Sequence, residues 1–197
     1  MPTPAEKPAA TDLPVSDAIK RRWSPMAFSG EPVELRKIAT LFEAARWAPS
    51  CFNEQPWRYV YATKDDGERR MKLESLLGEG NAWAKEAYLL VIGFAKKTFA
   101  KNGKENRFTM HDLGCADGYL VLQAVDLGLI SHQMAGFDDK NANALLGVPD
   151  DFGPGSMIAV GYPGDPSVLR PEWQTRQSAA RSRAEQQTFA FHGTWEA

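Results

Sequence analysis

The sequence predicts an α+β fold from three observations. Apolar residues recur three and four positions apart in one stretch, the spacing by which a helix turns one face toward a core. The residues of this stripe are Leu35, Ile38, Leu41, Phe42 and Ala45. Residues 57–62 alternate with the period of two that is typical of a strand. Residues 88–95 are almost uniformly apolar, which predicts a central strand covered on both faces.

The N-terminal region is predicted to contain a tail and one short helix. Residues 1–13 are rich in proline, alanine and threonine and are predicted to be disordered. A short helix comes next, with Ser16 or Asp17 as its N-cap, and ends near the arginine pair at positions 21 and 22. Residues 28–32 contain glycine and proline and are predicted to form the turn that leads into the amphipathic helix.

Residues 48–57, Ala-Pro-Ser-Cys-Phe-Asn-Glu-Gln-Pro-Trp, connect the amphipathic helix to the first strand. The helix cannot continue past Pro49, because a proline disfavours helical geometry at the residue before it. Pro56 has the same effect on Gln55. We therefore predict an extended turn with a small and polar surface, which the next strand anchors to a sheet.

A further helix is predicted between the two strands. It begins at residues 65–67 and closes at Gly78 or Gly80. Its expected inward-facing residues are Met71, Leu73, Leu76 and Leu77. After the apolar strand, residues 96–107 are polar and contain glycine, which indicates a lid or a mobile connection.

A long helix is predicted next, with an apolar stripe that runs from Leu113 to Leu127. Gly128 is its expected C-cap. We expect two subunits to associate through this helix. A short strand is predicted after it at residues 129–133.

Residues 134–137 are predicted to form a loop that precedes another helix. Asp138 or Asp139 is expected to cap this helix, which ends at Leu146 before a glycine. Residues 157–162 are apolar and bounded by glycine and proline, so they are predicted to form another buried strand.

The sequence changes character after residue 166. Residues 167–183 are polar and cationic, and residues 188–191 form a predicted β-like segment that has no evident place in the core of the same chain. We therefore divide the chain into a tail at residues 1–13, one domain at residues 14–166 and a C-terminal segment at residues 167–197.

Composition argues against several classes of partner. The net charge is −2 and the acidic and basic residues are interleaved, which argues against nucleic acid and anionic membranes as partners. The longest apolar run, residues 88–95, is far shorter than the roughly 20 residues of a membrane helix. The two cysteines, Cys51 and Cys115, lie in unrelated contexts, which favours a reducing compartment over a disulfide framework. A cytoplasmic protein is therefore predicted.

Three other kinds of site have weak support. His111 and Cys115 are one helical turn apart, but zinc needs three or four ligands, so structural roles and no metal are predicted. Ser156 lacks the Gly-x-Ser-x-Gly motif of a serine hydrolase. No Gly-x-Gly-x-x-Gly motif comes after a strand, so a nicotinamide cofactor would not be held in a Rossmann site.

Four segments, taken in order, resemble the FMN-dependent nitroreductase family from about residue 15 onward. They are Arg21-Arg22-Trp23-Ser24-Pro25-Met26-Ala27-Phe28, the turn at residues 48–57, Met134-Ala135-Gly136-Phe137-Asp138, and Arg181-Ser182-Arg183. The resemblance implies a sandwich in which helices flank a mostly antiparallel central sheet. It also implies an intertwined homodimer with two FMN sites at the interface and a C-terminal arm that lies across the partner subunit.

The resemblance assigns cofactor-binding roles along the whole chain. Arg22 and Ser24, with two arginines near the C-terminus, would bind the FMN phosphate. The backbone at Gly136 would approach flavin N5, since a residue without Cβ lets the main chain come close. The turn at residues 48–57 would reach the FMN of the other subunit, and Asn81 would lie at the ring edge. The full predicted set is Arg21, Arg22, Trp23, Ser24, Met26, Pro49, Ser50, Cys51, Asn53, Asn81, Met134, Ala135, Gly136, Arg181 and Arg183.

Two positions depart from the family pattern. Met26 replaces a lysine that relatives often carry near the N1–C2=O edge of the ring. Another residue must then stabilise the anionic reduced flavin, and Arg22 is the candidate. Ala135 replaces a glutamate that some relatives carry before the loop glycine. The redox potential and the preference between NADH and NADPH therefore stay open.

The reaction that the resemblance implies is a ping-pong hydride transfer through flavin N5. NADH or NADPH would give hydride and leave, and an electron-poor acceptor such as a nitroaromatic or a quinone would replace it. Hydride transfer needs no protein acid or base, so no catalytic side chain is predicted.

The alternatives differ in the chemistry that comes after flavin binding. A reductive dehalogenase or a flavin-fragmenting enzyme could be built on the same fold. A slow flavin-binding or sensing protein is an alternative outside catalysis. An interaction domain that uses the cationic C-terminal segment is another.

Overall fold

A four-stranded antiparallel sheet forms the centre of the computed structural model, which describes residues 7–195. The strands are β1 (Trp57–Thr63), β2 (Leu89–Lys96), β3 (Ile130–Met134) and β4 (Phe152–Gly161). They are arranged in the order β1-β2-β4-β3, and every neighbouring pair is antiparallel. The apolar run of the sequence is the inner strand β2, in which every residue before Lys96 is buried. The predicted α+β fold is confirmed.

Helices cover both faces of this sheet. They are α1 (Asp17–Arg21), α2 (Leu35–Arg46), α3 (Glu68–Ser75), α4 (Thr109–Asp126), α5 (Asp139–Leu146) and α6 (Pro171–Ser178). Helices α2 and α4 pack on the face of β2 that carries Leu89 and Val91. Helices α3, α5 and α6 pack with the face that carries Leu90 and Ile92. Because successive side chains of a strand point to opposite faces, both cores need apolar residues from the same strand.

The caps predicted from the sequence are found at α5, whereas α3 ends at Ser75 before the predicted Gly78, and the C-cap of α4 is Leu127 and not Gly128. Asp138 precedes α5 and its carboxylate accepts a hydrogen bond from the Asn141 N–H. Gly147 comes directly after the same helix in the left-handed conformation, which glycine adopts without strain. Helix α4 ends two residues before Gly128, whose φ is 74°. Ser16 occupies the N-cap of α1 but makes no capping hydrogen bond with its side chain.

Two predicted core residues are exposed. Leu35 is 80% exposed because it is the first residue of α2 and lies outside the helix–sheet contact. Met71 is 60% exposed because the buried residues of α3 are Arg70 and Leu73. The Arg70 guanidinium donates to the carbonyls of Lys85, Ala87 and Tyr88, so a charged side chain occupies the inner face that the apolar pattern had assigned to methionine.

Three other local predictions need correction. Residues Gln186–Thr188 form a 3-10 turn, and no strand is present at residues 188–191, because a lone segment without a neighbouring sheet edge has no partner for its backbone. The polar stretch 167–183 contains the helix α6, which was not predicted. A 3-10 helix, Glu79–Glu86, comes after α3 where the sequence predicted only a glycine stop.

The ends of the described chain meet each other. Of the predicted disordered tail, residues 1–6 lie outside the described residues, and residues 7–13 form neither helix nor strand. The Ala9 N–H donates to the Lys20 carbonyl at 2.8 Å, and Lys7 Nζ donates to the Ala179 carbonyl at 2.9 Å. Residues just before α1 are therefore in contact with the segment after α6.

The connection at residues 96–107 folds against the turn that precedes β1. The Ala100 N–H donates to the Glu54 carboxylate at 2.9 Å. The rings of Phe99 and Phe52 meet edge to face, with centroids 6.0 Å apart. This contact joins the two segments, and the role of the connection as a lid stays a prediction.

Three findings describe the chemistry of residues 7–195. No three His, Cys, Asp or Glu side chains are grouped so that they could hold a metal ion. No helix combines the length and the apolar character needed to cross a membrane. Cys51 and Cys115 are free thiols.

A buried carboxyl group links α4 to the sheet. Asp117 is 3% exposed, and it accepts hydrogen bonds from the Tyr59 hydroxyl at 2.8 Å and the Ser156 hydroxyl at 3.0 Å. Burial raises the pKa of Asp117 above its ordinary value of 3.8, and the two hydrogen bonds offset this only in part. The folded state therefore binds this proton more tightly than the unfolded state, so stability falls as pH rises from 3.8 through the folded pKa.

Replacing Asp117 by asparagine is expected to stabilise the protein at neutral pH. The amide can accept from Tyr59 and donate to Ser156 without carrying a buried charge. We expect the melting temperature at pH 7 to rise by about 2–4 °C, the shift that about 1 kcal/mol produces in a chain of this size, and the gain to vanish as the pH approaches about 4. Thermal unfolding between about pH 4 and pH 8 measures it.

Asp126→Asn is the control for this experiment. Asp126 lies on the same helix but is exposed and paired with Arg21, so its replacement should give no gain at neutral pH. A melting temperature of Asp117→Asn that is lower than that of the parent by the same amount at every pH would contradict the raised pKa.

Candidate active site

A pocket lined by cationic side chains lies where the two ends of the chain meet. It has a volume of about 270 Å³, and we call it the cationic pocket. Its lining residues are Lys7, Arg22, Trp23, Ser24, Arg176, Gln177, Ala179, Ala180, Arg181 and Arg183. Among the described residues, no carboxylate forms an ion pair with any of its four arginines. Positive charge that has no carboxylate partner among these residues suits the pocket to an anion.

Arg22 is influenced by the other arginines of the cationic pocket. Its Nη1 donates to the Ser24 hydroxyl at 3.2 Å. Burial lowers the pKa of Arg22 from its ordinary value, and the nearby Arg181 and Arg183 guanidinium groups lower it further. An anion bound among these groups would relieve their mutual repulsion.

Arg181 joins the two ends of the chain. Its guanidinium donates to the carbonyls of Lys7, Lys20 and Arg22, the last two at 3.0 and 2.9 Å. Burial, with a smaller effect from the charge of Arg183, lowers the pKa of Arg181. Arg181 thus holds the backbone of the Arg22 segment in place while keeping part of its donor set for the pocket.

The residues after Ser24 are held by hydrogen bonds to the residues that come directly after β4. The Gly164 N–H donates to the Ala27 carbonyl at 2.9 Å, and the Ser29 N–H donates to the Tyr162 carbonyl at 3.0 Å. Met26 is 3% exposed and packs in the core, so the structure does not present its side chain in the cationic pocket. These hydrogen bonds hold the backbone that follows Arg22 and Ser24 in place.

A neutral histidine lies beneath this segment. His132 Nδ1 donates to the Pro25 carbonyl at 3.0 Å, and the ring lies 4.5 Å from that of Trp83. Burial is the largest cause of a lowered pKa for His132, and the charges of Arg176 and Arg22 add to it. The imidazole therefore stays uncharged near neutral pH, and the arginines supply the positive charge of the region.

The loop that contains Gly136 is held through its carbonyl. The Gly136 oxygen accepts from the Gly78 N–H at 3.1 Å and from Asn81 Nδ2 at 2.9 Å. The Gly136 N–H donates to no described residue. A Cβ at this position would lie 2.9 Å from Asn81 Nδ2, so a side chain here would displace the Asn81 amide. The structure brings together two predicted ring-binding positions, Asn81 and Gly136.

The neighbours of Gly136 differ in exposure. Met134 is 3% exposed and ends β3 in the core, whereas Ala135 is exposed. Met134 therefore anchors the start of the loop in the core. Ala135 is the predicted loop residue that is available on the surface beside Gly136.

A second cavity of about 270 Å³ contains the other predicted cofactor-binding turn. It is lined by Pro49, Ser50, Cys51, Phe108, His111 and Asp112. The Cys51 N–H donates to the buried Asp112 carboxylate at 3.0 Å, and the Ser50 hydroxyl accepts from the Gln55 N–H at 3.0 Å. The turn is thus tied to α4. Asn53, in the same turn, is exposed with a φ of 58°.

The structure separates some predicted site residues. The cavity beside Pro49 and the cationic pocket share no lining residue. Within one chain, the turn at residues 48–57 therefore does not line the cationic pocket that contains Arg22. Arg21 also lies outside the cationic pocket, because its guanidinium pairs with Asp17 and Asp126.

Several lining residues were not predicted from the sequence. Arg176 and Gln177 lie on α6, for which the sequence offers one signal, the proline at position 171 in the first turn. Lys7 offers no local signal, since it contacts a carbonyl 170 positions away. Asp112 was passed over in favour of its neighbour His111, with which it pairs at 3.2 Å.

Comparison with known proteins places the chain in one family. The model of the nitroreductase family matches residues 19–78 and 73–162. A Xanthomonas oryzae protein named NADH dehydrogenase/NAD(P)H nitroreductase is 31% identical over 166 residues, which is 74% of this chain and 82% of that protein. A Thermus thermophilus protein named NADH dehydrogenase is 29% identical over 188 residues, which is 78% of this chain and 90% of its own.

Solved structures agree with the family match. A crystal structure described as an oxidoreductase containing FMN has 34% sequence identity and a TM-score of 0.89, and the likeness covers 95% of this chain and 96% of that one. A more distant relative, named iodotyrosine deiodinase, from Thermotoga neapolitana, is 24% identical over 177 residues, 79% of this chain and 91% of its own. The chain therefore belongs to the nitroreductase family, and its prediction as an oxidoreductase of that family is confirmed.

Proposed function

We propose that this protein is an FMN-dependent oxidoreductase that passes hydride from NADH or NADPH to an electron-poor acceptor such as a nitroaromatic or a quinone. One observation carries the proposal: the four arginines of the cationic pocket have no carboxylate partner among the described residues. A phosphate accepts several charge-assisted hydrogen bonds and neutralises such a group. The FMN-containing structure at 34% identity supports the same cofactor.

The residues present fit FMN at both of its ends. Arg22, Arg183 and Ser24 supply donors for the phosphate, and Arg181 adds its remaining N–H groups. The backbone N–H of Gly136 is a donor with no described partner, in a loop that a side chain at this position would disturb. A donor of this kind suits the polar edge of a flat ring.

The chain's own role is to bind and to orient. When bound, FMN supplies a centre that accepts hydride from one substrate and delivers it to the next. The carbonyl of Gly136 is fixed by Gly78 and Asn81, so its N–H would hold the ring at a defined angle. Half-buried His132 is neutral and bonded to a carbonyl, so no part in proton transfer is assigned to it. Catalysis would then rest on positioning and electrostatics.

We further propose a homodimer in which Pro49, Ser50, Cys51 and Asn53 of one chain complete the site of the other. The separation of their cavity from the cationic pocket within one chain supports this. Helix α4 also exposes apolar side chains, Met110 at 47% and Tyr119 at 44%, that a partner could cover. In the C-terminal segment 167–197, Phe189 and Trp195 are 65% and 81% exposed, in keeping with an arm that wraps a partner.

The division into a tail at 1–13, a domain at 14–166 and a C-terminal segment at 167–197 also remains a proposal. A cytoplasmic location is proposed because both cysteines are free thiols. The even mixture of charges supports small-molecule partners and not nucleic acid or membranes.

Identifying the bound chromophore of the purified protein tests the proposed function. We expect a visible flavin spectrum, a released compound with the mass of FMN, and rapid bleaching of the flavin band on anaerobic mixing with NADH or NADPH. Bleaching by neither donor would favour a flavin-binding or sensing protein. A colourless protein that takes up no added FMN would contradict the proposal.

A reductive dehalogenase is the second candidate, because the Thermotoga neapolitana relative carries the name iodotyrosine deiodinase. The two candidates differ in their products. Incubation of the reduced protein with a halogenated phenol and with a nitroaromatic would release halide in the first case and consume the nitro compound in the second. The faster of the two reactions decides between them.

A further inference from the structure

Gln177 on α6 is a buried side chain whose amide oxygen and amide nitrogen have different surroundings. It is 8% exposed and lines the cationic pocket. Its Oε1 accepts hydrogen bonds from the N–H groups of Met26 and Ala27 at 2.6 and 3.0 Å. Because two donors meet this oxygen, the amide orientation is fixed and Nε2 points away from them. Nε2 donates to no described residue.

We propose that Nε2 of Gln177 donates a hydrogen bond to the phosphate of FMN, which makes α6 a cofactor-binding element. This rests on the proposed function. Nε2 is not among the fully buried unpaired atoms of the described residues, so a phosphate bound in the cationic pocket can reach it and would supply a charged acceptor. An uncharged amide also suits this position, because it adds a donor without adding repulsion to four neighbouring arginines.

The position of the amide is set before any ligand binds. Trp173, one turn earlier on α6, packs in the core. At the other end of the helix, Lys7 Nζ donates to the carbonyls of Gln177 and Ala179, and it lies 5.1 Å from the centre of the Trp23 ring. With the backbone of residues 26 and 27 on a third side, the Gln177 side chain has little freedom to turn.

A purely structural role for Gln177 makes a different prediction. In a purely structural role, only the Gln177 oxygen matters, because it accepts the N–H groups of Met26 and Ala27. These hydrogen bonds do not need the NH₂ group. Gln177→Glu keeps an oxygen that can accept both backbone N–H groups but replaces the donor with a second acceptor. FMN and riboflavin differ only by the phosphate, so their relative affinities isolate contacts to that group.

The test is the ratio of the FMN and riboflavin dissociation constants in the full-length protein. For Gln177→Glu we expect FMN affinity to fall by about tenfold or more, while riboflavin affinity changes less than about twofold. Equal losses for both ligands, or no loss for FMN, would overturn the proposal. A variant that merely folds poorly loses both affinities together, so the ratio remains decisive.

Gln174→Glu is the matched control on the same helix. The Gln174 amide donates to the carbonyls of Ser167 and Leu169, so its replacement should lower the melting temperature without changing the ratio. Gln174 does not line the cationic pocket, so Gln177→Met is the control for the added charge, because it removes the donor and adds no charge. An unchanged ratio in Gln177→Met would show that charge alone caused the effect, which would also overturn the proposal. Failure of the parent protein to bind either flavin would contradict the proposed function and not this contact.

Discussion

Replacement of Arg22 by alanine is expected to lower FMN affinity by about 10- to 100-fold, the usual worth of a charge-assisted hydrogen bond to a phosphate. Arg22 is held beside Ser24 and carries no carboxylate partner among residues 7–195. Removing it takes both a donor and a unit of charge from the cationic pocket. Equilibrium titration of the cofactor-free protein with FMN and with riboflavin measures the effect, which should be confined to FMN.

Arg21→Ala is the matched control for this prediction. Arg21 is adjacent in sequence, but its guanidinium is paired with Asp17 and Asp126 at the end of α4. Its loss should change FMN affinity by less than about twofold, because exposed ion pairs contribute little and this one lies outside the pocket. Equal losses from the two variants, or a loss of riboflavin affinity as large as that of FMN, would refute the assignment of Arg22.

Replacement of Gly118 by leucine is expected to yield a monomer that has lost most of its FMN. An added Cβ at Gly118 meets no atom within 4 Å in the single chain, so there is room for a side chain to start there, and leucine favours a helix more than glycine does. On the surface of α4 it would hold a second subunit away. Sedimentation and flavin absorbance should then show dissociation together with a fall in FMN affinity of about tenfold or more, since the contacts of the partner turn are lost.

Lys72→Leu provides the corresponding control. Lys72 is exposed on α3, which packs on the opposite face of the sheet from α4, so the variant adds the same apolar side chain far from the proposed interface. It should remain a dimer with bound FMN. A Gly118→Leu monomer that keeps its FMN would reject the shared site, and an unchanged dimer would show that α4 is not the interface.

The elements of the fold that the sequence predicts are those that depend on residues close together in the chain. The uniform apolar run became the inner strand β2 because both faces of that strand are covered. Asp138 and Gly147 mark the ends of α5 because each meets a requirement of the helix terminus itself. By contrast, Arg70 is buried only because three carbonyls from a later turn receive its N–H groups. No periodicity in the sequence records that arrangement.

The candidate site likewise contains some residues that could be predicted from the sequence and others that could not. The family resemblance named Arg22, Ser24, Arg181 and Arg183, and the structure brings them to one pocket. It could not name Gln177, whose partners Met26 and Ala27 lie 151 and 150 positions away. The resemblance also grouped Arg21 with its neighbour, although successive residues near a helix end point in different directions.

The contact between Arg181 and Lys7 spans 174 positions of the chain. During translation the strands of the sheet emerge long before Arg183 does, so the scaffold can form while the pocket still lacks most of its cations. A contact between residues so distant in sequence also costs chain entropy before it can form. If the cationic pocket holds FMN as proposed, the cofactor can bind only after residues 176–183 have been made and have joined Arg22 and Ser24.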